Sequence, residues 1–444
     1  MAVTPARDAA LDILLKVEQG GFASELLHSE RLDKLSLQDK GLVTELVMGV
    51  LRWRSRLDDA IGEVSSQKLA KLDAEVLESL RLAVYQINFL ERIPAHAAVN
   101  DAVELVKRKK KKSAAPFVNA VLRKLVRGPA PTTSESHVSQ KMANVGHPKS
   151  QLGHRYAHPS WMVERWVKRY GSEAAEDICA YDQQVPPIAI RFRDGGTEQE
   201  LLAAGISLVP GRLVRSARVV TAGDVTKTAA FREGRVQVQD EGSQLVAMLV
   251  GSGERLLDCC AAPGGKTAIL AERNPNSAVV ATELHQHRAR DMRERLKGLP
   301  NVSVMEGDAS RLSVGGGFDR VLADVPCSGT GTLARNPEIK WRLKSEDLTD
   351  LHRRQVAILR GALTKLRPGG RLVYSSCSLE SEENEDVVRE AGARVVPISE
   401  ELEALRREEE LVVEHLTELL EGPFLRLLPG RFGSDGFFAA LVTK

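Results

Sequence analysis

The amino-acid sequence predicts a multidomain protein with an all-α bundle, a small α+β subdomain and an α/β domain built on a parallel sheet. Three observations support this fold class. Apolar residues recur at helical spacing through the N-terminal part, and a mixed pattern follows it. From Arg255 onward, short apolar strands alternate regularly with helical segments. The chain of 444 residues is long enough for about three domains.

The composition excludes several classes of protein. Hydrophobic residues make up 43% of the chain, so disorder throughout is excluded. The formal net charge is only +2, and any attraction to nucleic acid must therefore come from local clusters. Five cysteines are too few for a disulfide framework. Neither a membrane-length apolar run nor a signal-peptide core is found, so we expect a cytoplasmic protein with reduced thiols and no membrane partner.

The first predicted domain, residues 1–128, is helical. Helical spacing is clear in Ala9–Leu15 and in Leu42–Leu51. Near the end of this domain, Lys107–Lys112 is a run of six basic residues. Such a run either holds RNA phosphates or is a solvated helix end, and the sequence leaves both interpretations open. Residues 129–150 are predicted to form a linker.

Residues 151–245 are predicted to form the small α+β subdomain. Trp161–Tyr170 has helical spacing, whereas Pro187–Phe192 is typical of a strand. The alternation in Arg235–Gln239 predicts a further strand.

The last predicted domain, residues 246–444, has regular β-α alternation. The predicted strands are Leu256–Leu257, Ala278–Ala281, Val302–Met305, Val321–Ala323 and Arg371–Tyr374, and the helices are Lys266–Glu272, His285–Lys297 and Ser345–Leu366. Such alternation predicts a parallel sheet with helices on both faces. Ligands bind outside the carboxyl ends of the strands in such sheets, so the residues after each strand are the candidates for a site.

The turn after the first strand has the composition of a cofactor site. It consists of Cys260, Ala261, Ala262, Pro263, Gly264, Gly265 and Lys266. Its small residues let the backbone pass close to a ligand, although a glycine pair alone also suits an ordinary tight turn. Glu283 ends the second strand and suits ribose hydroxyls, and Asp308 follows the third and suits an exocyclic amine. Together with Asp258 they would repel a triphosphate, so the pattern favours S-adenosylmethionine.

Two cysteines follow the fourth and fifth strands. Cys327 lies three residues after Asp324, and Cys377 lies just beyond the fifth strand. Either cysteine alone is more often a buried hydrophobe. As a pair beside a methyl-donor pocket, they match cytosine C5 methylation. In that reaction a thiolate adds to carbon 6, a carboxyl group hydrogen-bonds the base at N3, and carbon 5 takes the methyl group. Spacing does not decide which cysteine attacks.

These motifs resemble those of the Sun family of RNA cytosine-C5 methyltransferases, in particular its RsmB type, which acts on small-subunit (16S) ribosomal RNA. The matching segments are the turn Cys260–Lys266, the acids Glu283 and Asp308, Asp324–Cys327, Arg335–Trp341, Arg367–Gly370, Ser376–Cys377 and Gly433–Phe438. The resemblance implies a Rossmann-like methyltransferase domain that binds S-adenosylmethionine, with Asp324 in the site. It also implies that Cys377 is the nucleophile and that Cys327 assists product release. Ser376 replaces the family's usual threonine, and Glu283 its usual aspartate.

The other two domains also resemble parts of this family. The helical domain is similar to the RNA-binding bundle NusB in Asp39–Gly41, Gly49–Trp53, Ile93–Asn100 and Phe117–Arg123. The middle segment resembles the family's RNA-recognition-like subdomain. The resemblance implies a monomer that methylates C5 of a cytosine in 16S ribosomal RNA and needs no metal. Transfer RNA as the substrate, and a non-catalytic RNA-binding assembly factor, are the alternatives that the sequence leaves open.

Overall fold

The computed structural model describes residues 4–127 and 148–444. The predicted linker, 129–150, lies outside these residues except for its last three, which begin a helix. By its internal contacts the chain divides into two units. The first extends to Gln184 and also contains Leu333–Arg342, and the second contains Val185–Thr332 and Leu343–Lys444.

The first unit is helical, which confirms the all-α prediction. Its helices are α1 Pro5–Glu18, α2 Ala23–Leu27, α3 Leu37–Val64, α4 Ala74–Phe89, α5 Ala95–Arg108, α6 Ala115–Arg127, α7 Pro148–Arg155, α8 Ser160–Tyr170 and α9 Ser172–Asp182. The long helix α3 begins after Ser36, whose hydroxyl accepts a hydrogen bond from the backbone nitrogen of Asp39. Buried apolar side chains at helical spacing, such as Leu46 and Val50, form the core.

The basic run Lys107–Lys112 lies at the end of α5 and in the turn after it. Ion pairs within the unit engage four of its cations: Lys107 with Glu104, Arg108 and Lys109 with Asp8, and Lys111 with Asp73. Lys110 and Lys112 form no ion pair with a described residue. Most of the run's charge is therefore matched by acids of its own domain, which leaves two lysines available for a phosphate.

A segment from far along the chain completes the first unit. Leu333–Arg342 includes the short helix Ile339–Arg342 and lies among the N-terminal helices. Its hydrogen bonds run from Trp341 Nε1 to the Leu51 carbonyl (2.6 Å), from Lys340 Nζ to the Arg52 carbonyl (3.0 Å) and from the Ala23 backbone nitrogen to Glu338 Oε1 (2.9 Å). Glu338 and Lys340 are buried. The segment is therefore an integral part of the helical unit.

The second unit begins with a small α+β part, whereas residues 151–184, which the sequence analysis placed in this subdomain, group with the first unit by their contacts. Its elements are β1 Ile188–Phe192, α10 Thr197–Ala203, β2 Ser207–Pro210, β3 Ala217–Ala222, α11 Ala229–Arg232 and β4 Val236–Val238. The strands form one antiparallel sheet in the order β2-β3-β1-β4. The buried side chains Ile190, Leu201 and Val236 form its core.

The remainder of the second unit is a Rossmann-like domain, which confirms the predicted fold class. Its elements are α12 Glu241–Met248, β5 Arg255–Asp258, α13 Gly265–Arg273, β6 Ala278–Glu283, α14 Gln286–Leu296, β7 Val302–Glu306, β8 Phe318–Asp324, α16 Asp347–Lys365, β9 Leu366–Ser376, α17 Glu385–Ala391, β10 Arg394–Val396, α18 Ser399–Arg407, β11 Leu420–Glu421, β12 Phe424–Leu427 and β13 Phe437–Thr443. The intervening helix α15, Ile339–Arg342, belongs to the first unit. Each predicted strand is present, and the predicted helices differ only at their ends.

The order of the strands determines where a ligand can bind. The sheet runs β11-β12-β13-β9-β8-β5-β6-β7, and β5 to β9 pair in parallel. The chain adds β6 and β7 on one side of β5, and then β8 and β9 on the other. In sheets of this kind ligands bind at the carboxyl ends of the strands, where the order reverses. Here that point lies between Asp258 at the end of β5 and Asp324 at the end of β8.

Candidate active site

A cavity of about 750 Å³ lies at this reversal point, inside the second unit. Known ligand pockets have volumes of about 300–1,000 Å³. Its lining includes all seven residues of the predicted cofactor turn, Cys260 to Lys266, together with Asp258 and Asp324. The structure therefore brings the turn and the predicted catalytic aspartate to one cavity.

The turn has a conformation that its glycines allow. Gly264 precedes α13 with a φ of 102°, in the left-handed region that a side chain disfavours. The Ala261 backbone nitrogen donates to the Thr282 carbonyl at 2.9 Å, which fixes the turn against the end of β6. The first backbone N–H groups of α13 are consequently close to the cavity.

Asp258 is a buried carboxyl group in the wall of the cavity. Its Oδ2 accepts a hydrogen bond of 2.7 Å from the hydroxyl of Thr267. Burial raises the pKa of Asp258 to about 7, against the effect of the Thr267 hydrogen bond and with help from the negative charge of Asp324. A positively charged group of a ligand would stabilise its ionised form.

Glu283 and Asp308 occupy neighbouring strand ends. In the parallel pair β6–β7, Glu283 lies opposite Glu306, and the Gly307 backbone nitrogen donates to the Glu283 carbonyl at 2.9 Å. The Glu283 side chain accepts a hydrogen bond from the His285 backbone nitrogen, and Asp308 accepts one from that of Ser310. The two acids therefore lie at the same edge as the turn, but neither lines the 750 Å³ cavity.

Lys266 and Asp324 form an ion pair across the cavity. Lys266 Nζ lies 2.7 Å from Asp324 Oδ2, and the hydroxyl of Ser375 donates to Asp324 Oδ1, also at 2.7 Å. Burial acts to lower the pKa of Lys266, but the charge and hydrogen bond of Asp324 outweigh it, and the net pKa is raised. A negative charge on Cys377 also raises the pKa of Lys266, so the ammonium group and a Cys377 thiolate attract each other.

The two predicted cysteines meet beside this ion pair. The Sγ atoms of Cys327 and Cys377 lie 3.3 Å apart, since β8 and β9 pair in parallel and each cysteine follows its strand within three residues. The hydrogen bond to Cys377, together with burial, raises the pKa of Cys327. Both effects favour the protonated form of the Cys327 thiol, and either sulfur can be the donor in the contact.

A close backbone contact holds the Cys377 loop. The Gly331 nitrogen donates to the Cys377 carbonyl at 2.8 Å. A Cβ atom at Gly331 would lie 2.9 Å from that oxygen and 2.5 Å from the carbonyl oxygen of Gly436. Only glycine permits this approach of the three segments.

A buried carboxylate that the sequence analysis did not identify lies next to the cysteines. Glu383 Oε1 accepts hydrogen bonds from the Ser328 backbone nitrogen (2.8 Å) and from Gln355 Nε2 (2.9 Å). The hydroxyls of Ser328 and Ser378 both contact Glu383 Oε2. These serines directly follow Cys327 and Cys377. The only sequence signal was an acidic segment immediately after a strand end.

Metal ligands and membrane helices were also searched for in the described part of the chain. Within 4–127 and 148–444, no group of three or more His, Cys, Asp or Glu side chains is placed to hold a metal ion. None of the helices described there is long and apolar enough to cross a bilayer.

The strand order, the glycine turn and the cavity at the strand ends define a class, the methyltransferases with a Rossmann-like domain. Sequence profiles of known families make the assignment more specific. The profile described as 16S rRNA methyltransferase RsmB/F matches residues 246–443, that of the NusB family matches 4–127, and that of the RsmF/B-like ferredoxin-like domain matches 158–221. The chain belongs to the RsmB/F family of 16S rRNA methyltransferases.

Full-length relatives support this membership. The chain is 34% identical to the probable ribosomal RNA small subunit methyltransferase B of Bacillus subtilis, with 100% of both chains covered. It is 32% identical to ribosomal RNA small subunit methyltransferase B of Vibrio cholerae, over 99% of this chain and 97% of the other. Membership of this family implies RNA as the substrate and a methyl donor of the S-adenosylmethionine type.

Solved structures share the fold. The protein PH0851 superimposes with a TM-score of 0.78 at 23% identity, with 100% of both chains covered. A methyltransferase homolog protein from Pyrococcus horikoshii gives a TM-score of 0.55 at 24% identity, over 68% of this chain and 100% of the other.

Proposed function

We propose that the protein transfers a methyl group from S-adenosylmethionine to C5 of a cytosine in 16S ribosomal RNA by covalent cysteine catalysis. The observation that carries the proposal is the pair of thiols, Cys327 and Cys377, 3.3 Å apart beside Asp324. Methylation of an amino nitrogen requires acceptors for the amine and has no use for a thiol. Methylation at C5 requires a nucleophile at carbon 6, since carbon 5 of cytosine is otherwise unreactive.

The residues at the strand ends fit the methyl donor. The turn Cys260–Lys266 offers backbone close to a ligand, and the carboxyl groups of Asp258, Glu283 and Asp308 suit an ammonium group, ribose hydroxyls and an adenine amine. S-adenosylmethionine supplies an electrophilic methyl group bonded to a positively charged sulfur. Carboxylates favour that charge, whereas they would repel the phosphates of a nucleotide.

In the proposed mechanism Cys377 attacks carbon 6. A bond forms between Sγ and C6, and the electrons of the C5–C6 double bond make C5 a nucleophile that takes the methyl group. Asp324 can hold the negative charge that develops at N3 only by donating a hydrogen bond, so in the complex the proton between Lys266 and Asp324 must lie on the Asp324 carboxyl group, whose other oxygen accepts from Ser375. The C5 proton is then transferred to a water molecule, and the electrons of the C–H bond restore the C5–C6 double bond and expel Cys377 as a thiolate. We assign assistance in this release to Cys327.

Two observations bear on the alternative functions. The curated relatives that match the full chain are named for the small ribosomal subunit RNA, which favours 16S over transfer RNA. The presence of both cysteines at the same edge of the sheet favours an enzyme, because a non-catalytic assembly factor has no use for two adjacent thiols. We further infer that the helical domain binds RNA, with Lys110 and Lys112 as the available cations of its basic run, and that the protein acts in the cytoplasm as a monomer.

The test is identification of the methylated nucleoside. Purified protein is incubated with isotope-labelled S-adenosylmethionine and either 16S ribosomal RNA or transfer RNA transcripts, and digests are analysed by mass spectrometry. We expect labelled 5-methylcytidine from 16S RNA, none with Cys377→Ala, and normal product with Cys179→Ala, which removes a buried thiol of the first unit. Label in N4-methylcytidine would overturn the C5 assignment, and label in transfer RNA alone would overturn the ribosomal substrate.

A further inference from the structure

We propose that the outer part of the 750 Å³ cavity, beyond the cofactor turn, binds single-stranded RNA next to the target cytosine. This inference rests on the proposed function and deepens it, because it assigns a surface to the nucleotides that flank the reacting base. One wall comes from the small subdomain, with Arg193, Phe231 and Arg232. The opposite wall comes from the end of α14, with Arg295 and Lys297. We call this part of the cavity the outer cleft.

The outer cleft is electropositive because its acidic side chains are neutralised by ion pairs. Its acids, Glu233 and Glu294, form ion pairs with Arg235 (2.7 Å) and Lys297 (3.5 Å) respectively. Arg193 is likewise paired, with Glu272 at 3.2 Å.

Arg232 and Arg295 differ from these residues. Each is exposed, and neither forms an ion pair with any residue in the described part of the chain. Two unpaired guanidinium groups, one on each wall, complement a phosphodiester backbone passing between them.

The two walls are joined, so the outer cleft is formed before a ligand arrives. Arg193 Nη2 donates a hydrogen bond of 3.4 Å to the backbone carbonyl of Arg295. Phe231 is half-buried in the lining and presents a ring on which a base can stack. An aromatic ring between cations is typical of single-strand binding, whereas duplex RNA is contacted mainly through its phosphates and 2′-hydroxyls.

An unsatisfied acceptor lies where the outer cleft meets the cofactor turn. Gln239 Oε1 is buried and accepts no hydrogen bond from the described residues. It lies next to the turn, because a Cβ atom placed on Gly265 would be 3.3 Å from it. Buried acceptors are normally paired, so this oxygen points to a ligand donor such as a base amine or a 2′-hydroxyl.

The geometry also explains why a single strand is required. Lys266 and Asp324 line the cavity, and the proposed mechanism places Asp324 at N3 of the target base. A base must leave its stack to reach a group inside such a cavity. The strand that carries the base then runs out between the two walls, where Arg232 and Arg295 face its phosphates.

The experiment uses the full-length chain with a double variant, Arg232→Gln/Arg295→Gln. The matched control is Arg290→Gln, because Arg290 is also an exposed arginine of α14 but does not line the cavity. The affinity for a short single-stranded 16S RNA fragment is measured by fluorescence anisotropy at several salt concentrations. Calorimetry measures the affinity for S-adenosylmethionine, and melting temperatures verify folding.

We expect the slope of log affinity against log salt to fall by about 1.4 in the double variant, since each phosphate contact to a single strand contributes about 0.7. The affinity for S-adenosylmethionine should match that of the control. An unchanged salt slope overturns the outer cleft as an RNA site. A weaker affinity for S-adenosylmethionine with unchanged RNA binding assigns the whole cavity to the methyl donor instead. Failure of the wild-type protein to form 5-methylcytidine overturns the proposed function. The two failures are distinguishable, because the salt slopes report only on RNA binding and not on the methylated product.

Discussion

The backbone nitrogen of Ser328 donates a hydrogen bond of 2.8 Å to the buried carboxylate of Glu383. The hydroxyl of Ser378 contacts the same carboxylate, so the residue after each cysteine is held by one group. A satisfied buried network of this kind fixes geometry closely. Glu383 therefore links the two segments that carry the cysteines, and we expect it to fix the separation of their sulfurs.

Replacing Glu383 with glutamine should lower the turnover number by roughly tenfold to a hundredfold, because an amide nitrogen replaces one of two acceptor oxygens and small displacements of reacting groups slow catalysis strongly. The affinity for S-adenosylmethionine should not change. Steady-state kinetics and calorimetry provide the measurement, and Glu382→Gln, at the half-exposed neighbouring position, is the control. Equal turnover of the two variants would contradict a positioning role for Glu383.

Replacing each of the two cysteines should block a different step of the reaction. Cys327→Ala should still attack and methylate the RNA but remain bonded to it through Cys377, because release is impaired. On a denaturing gel with labelled RNA, this variant should give a shifted, protease-sensitive band. Wild type and Cys377→Ala should give none. A band with Cys377→Ala instead would reverse the two roles.

Loss of the strand-end acids should weaken cofactor binding. Asp308→Ala or Glu283→Ala should each reduce the affinity for S-adenosylmethionine by roughly one to two powers of ten, since hydrogen bonds to charged groups contribute about 1.5–3 kcal/mol. Calorimetric titration checks this, with Glu306→Ala as the control because Glu306 is exposed opposite Glu283 in the sheet. Unchanged affinity in both variants would contradict the assignment of Glu283 and Asp308 to the cofactor pocket.

Asp258 should make stability depend on pH. Its pKa is about 7 in the folded protein and near 3.8 ordinarily, so between pH 4 and 7 the folded state holds a proton that the unfolded chain has lost. Stability from this group therefore falls as the pH rises through that window. Asp258→Asn should be more stable than wild type at pH 8 by about 1–4 kcal/mol, since one pKa unit corresponds to about 1.4 kcal/mol.

Thermal melting of Asp258→Asn and wild type at pH 8 and at pH 5 provides the measurement. The gain should shrink at pH 5, where the wild-type carboxyl group is largely protonated in the folded protein. An equal gain at both values would mean that the ionisation of Asp258 is not its cause.

The position of the site could be predicted because it depends on strand ends. Alternating strands and helices imply a parallel sheet, and residues that follow its strands must meet at one edge. Cys327 and Cys377 are separated by fifty positions in sequence, yet the parallel pairing of β8 and β9 makes their contact predictable. Which cysteine attacks did not follow from this logic and came only from the family resemblance.

Other features depend on tertiary packing that local patterns do not encode. Glu383 is one of several acids in Glu380–Glu385, and nothing in their spacing indicates which one is buried against the serines. The raised pKa of Asp258 depends on burial and not on residue type. Likewise, the sequence left the basic run open as a phosphate site or a solvated helix end, and it could not show that Asp8 and Asp73, distant in sequence, pair with three of its six cations.

The position of Leu333–Arg342 has a consequence for synthesis on the ribosome. The helices up to Gln184 leave the exit tunnel long before Trp341 and Lys340 are made, although these two side chains bond to the carbonyls of Leu51 and Arg52. Domains generally fold from the N-terminus as they emerge. The helices up to Gln184 therefore lack this packing segment until more than three-quarters of the protein has been translated. The catalytic sheet is completed later still, because its strand β13, Phe437–Thr443, is among the last residues to be made.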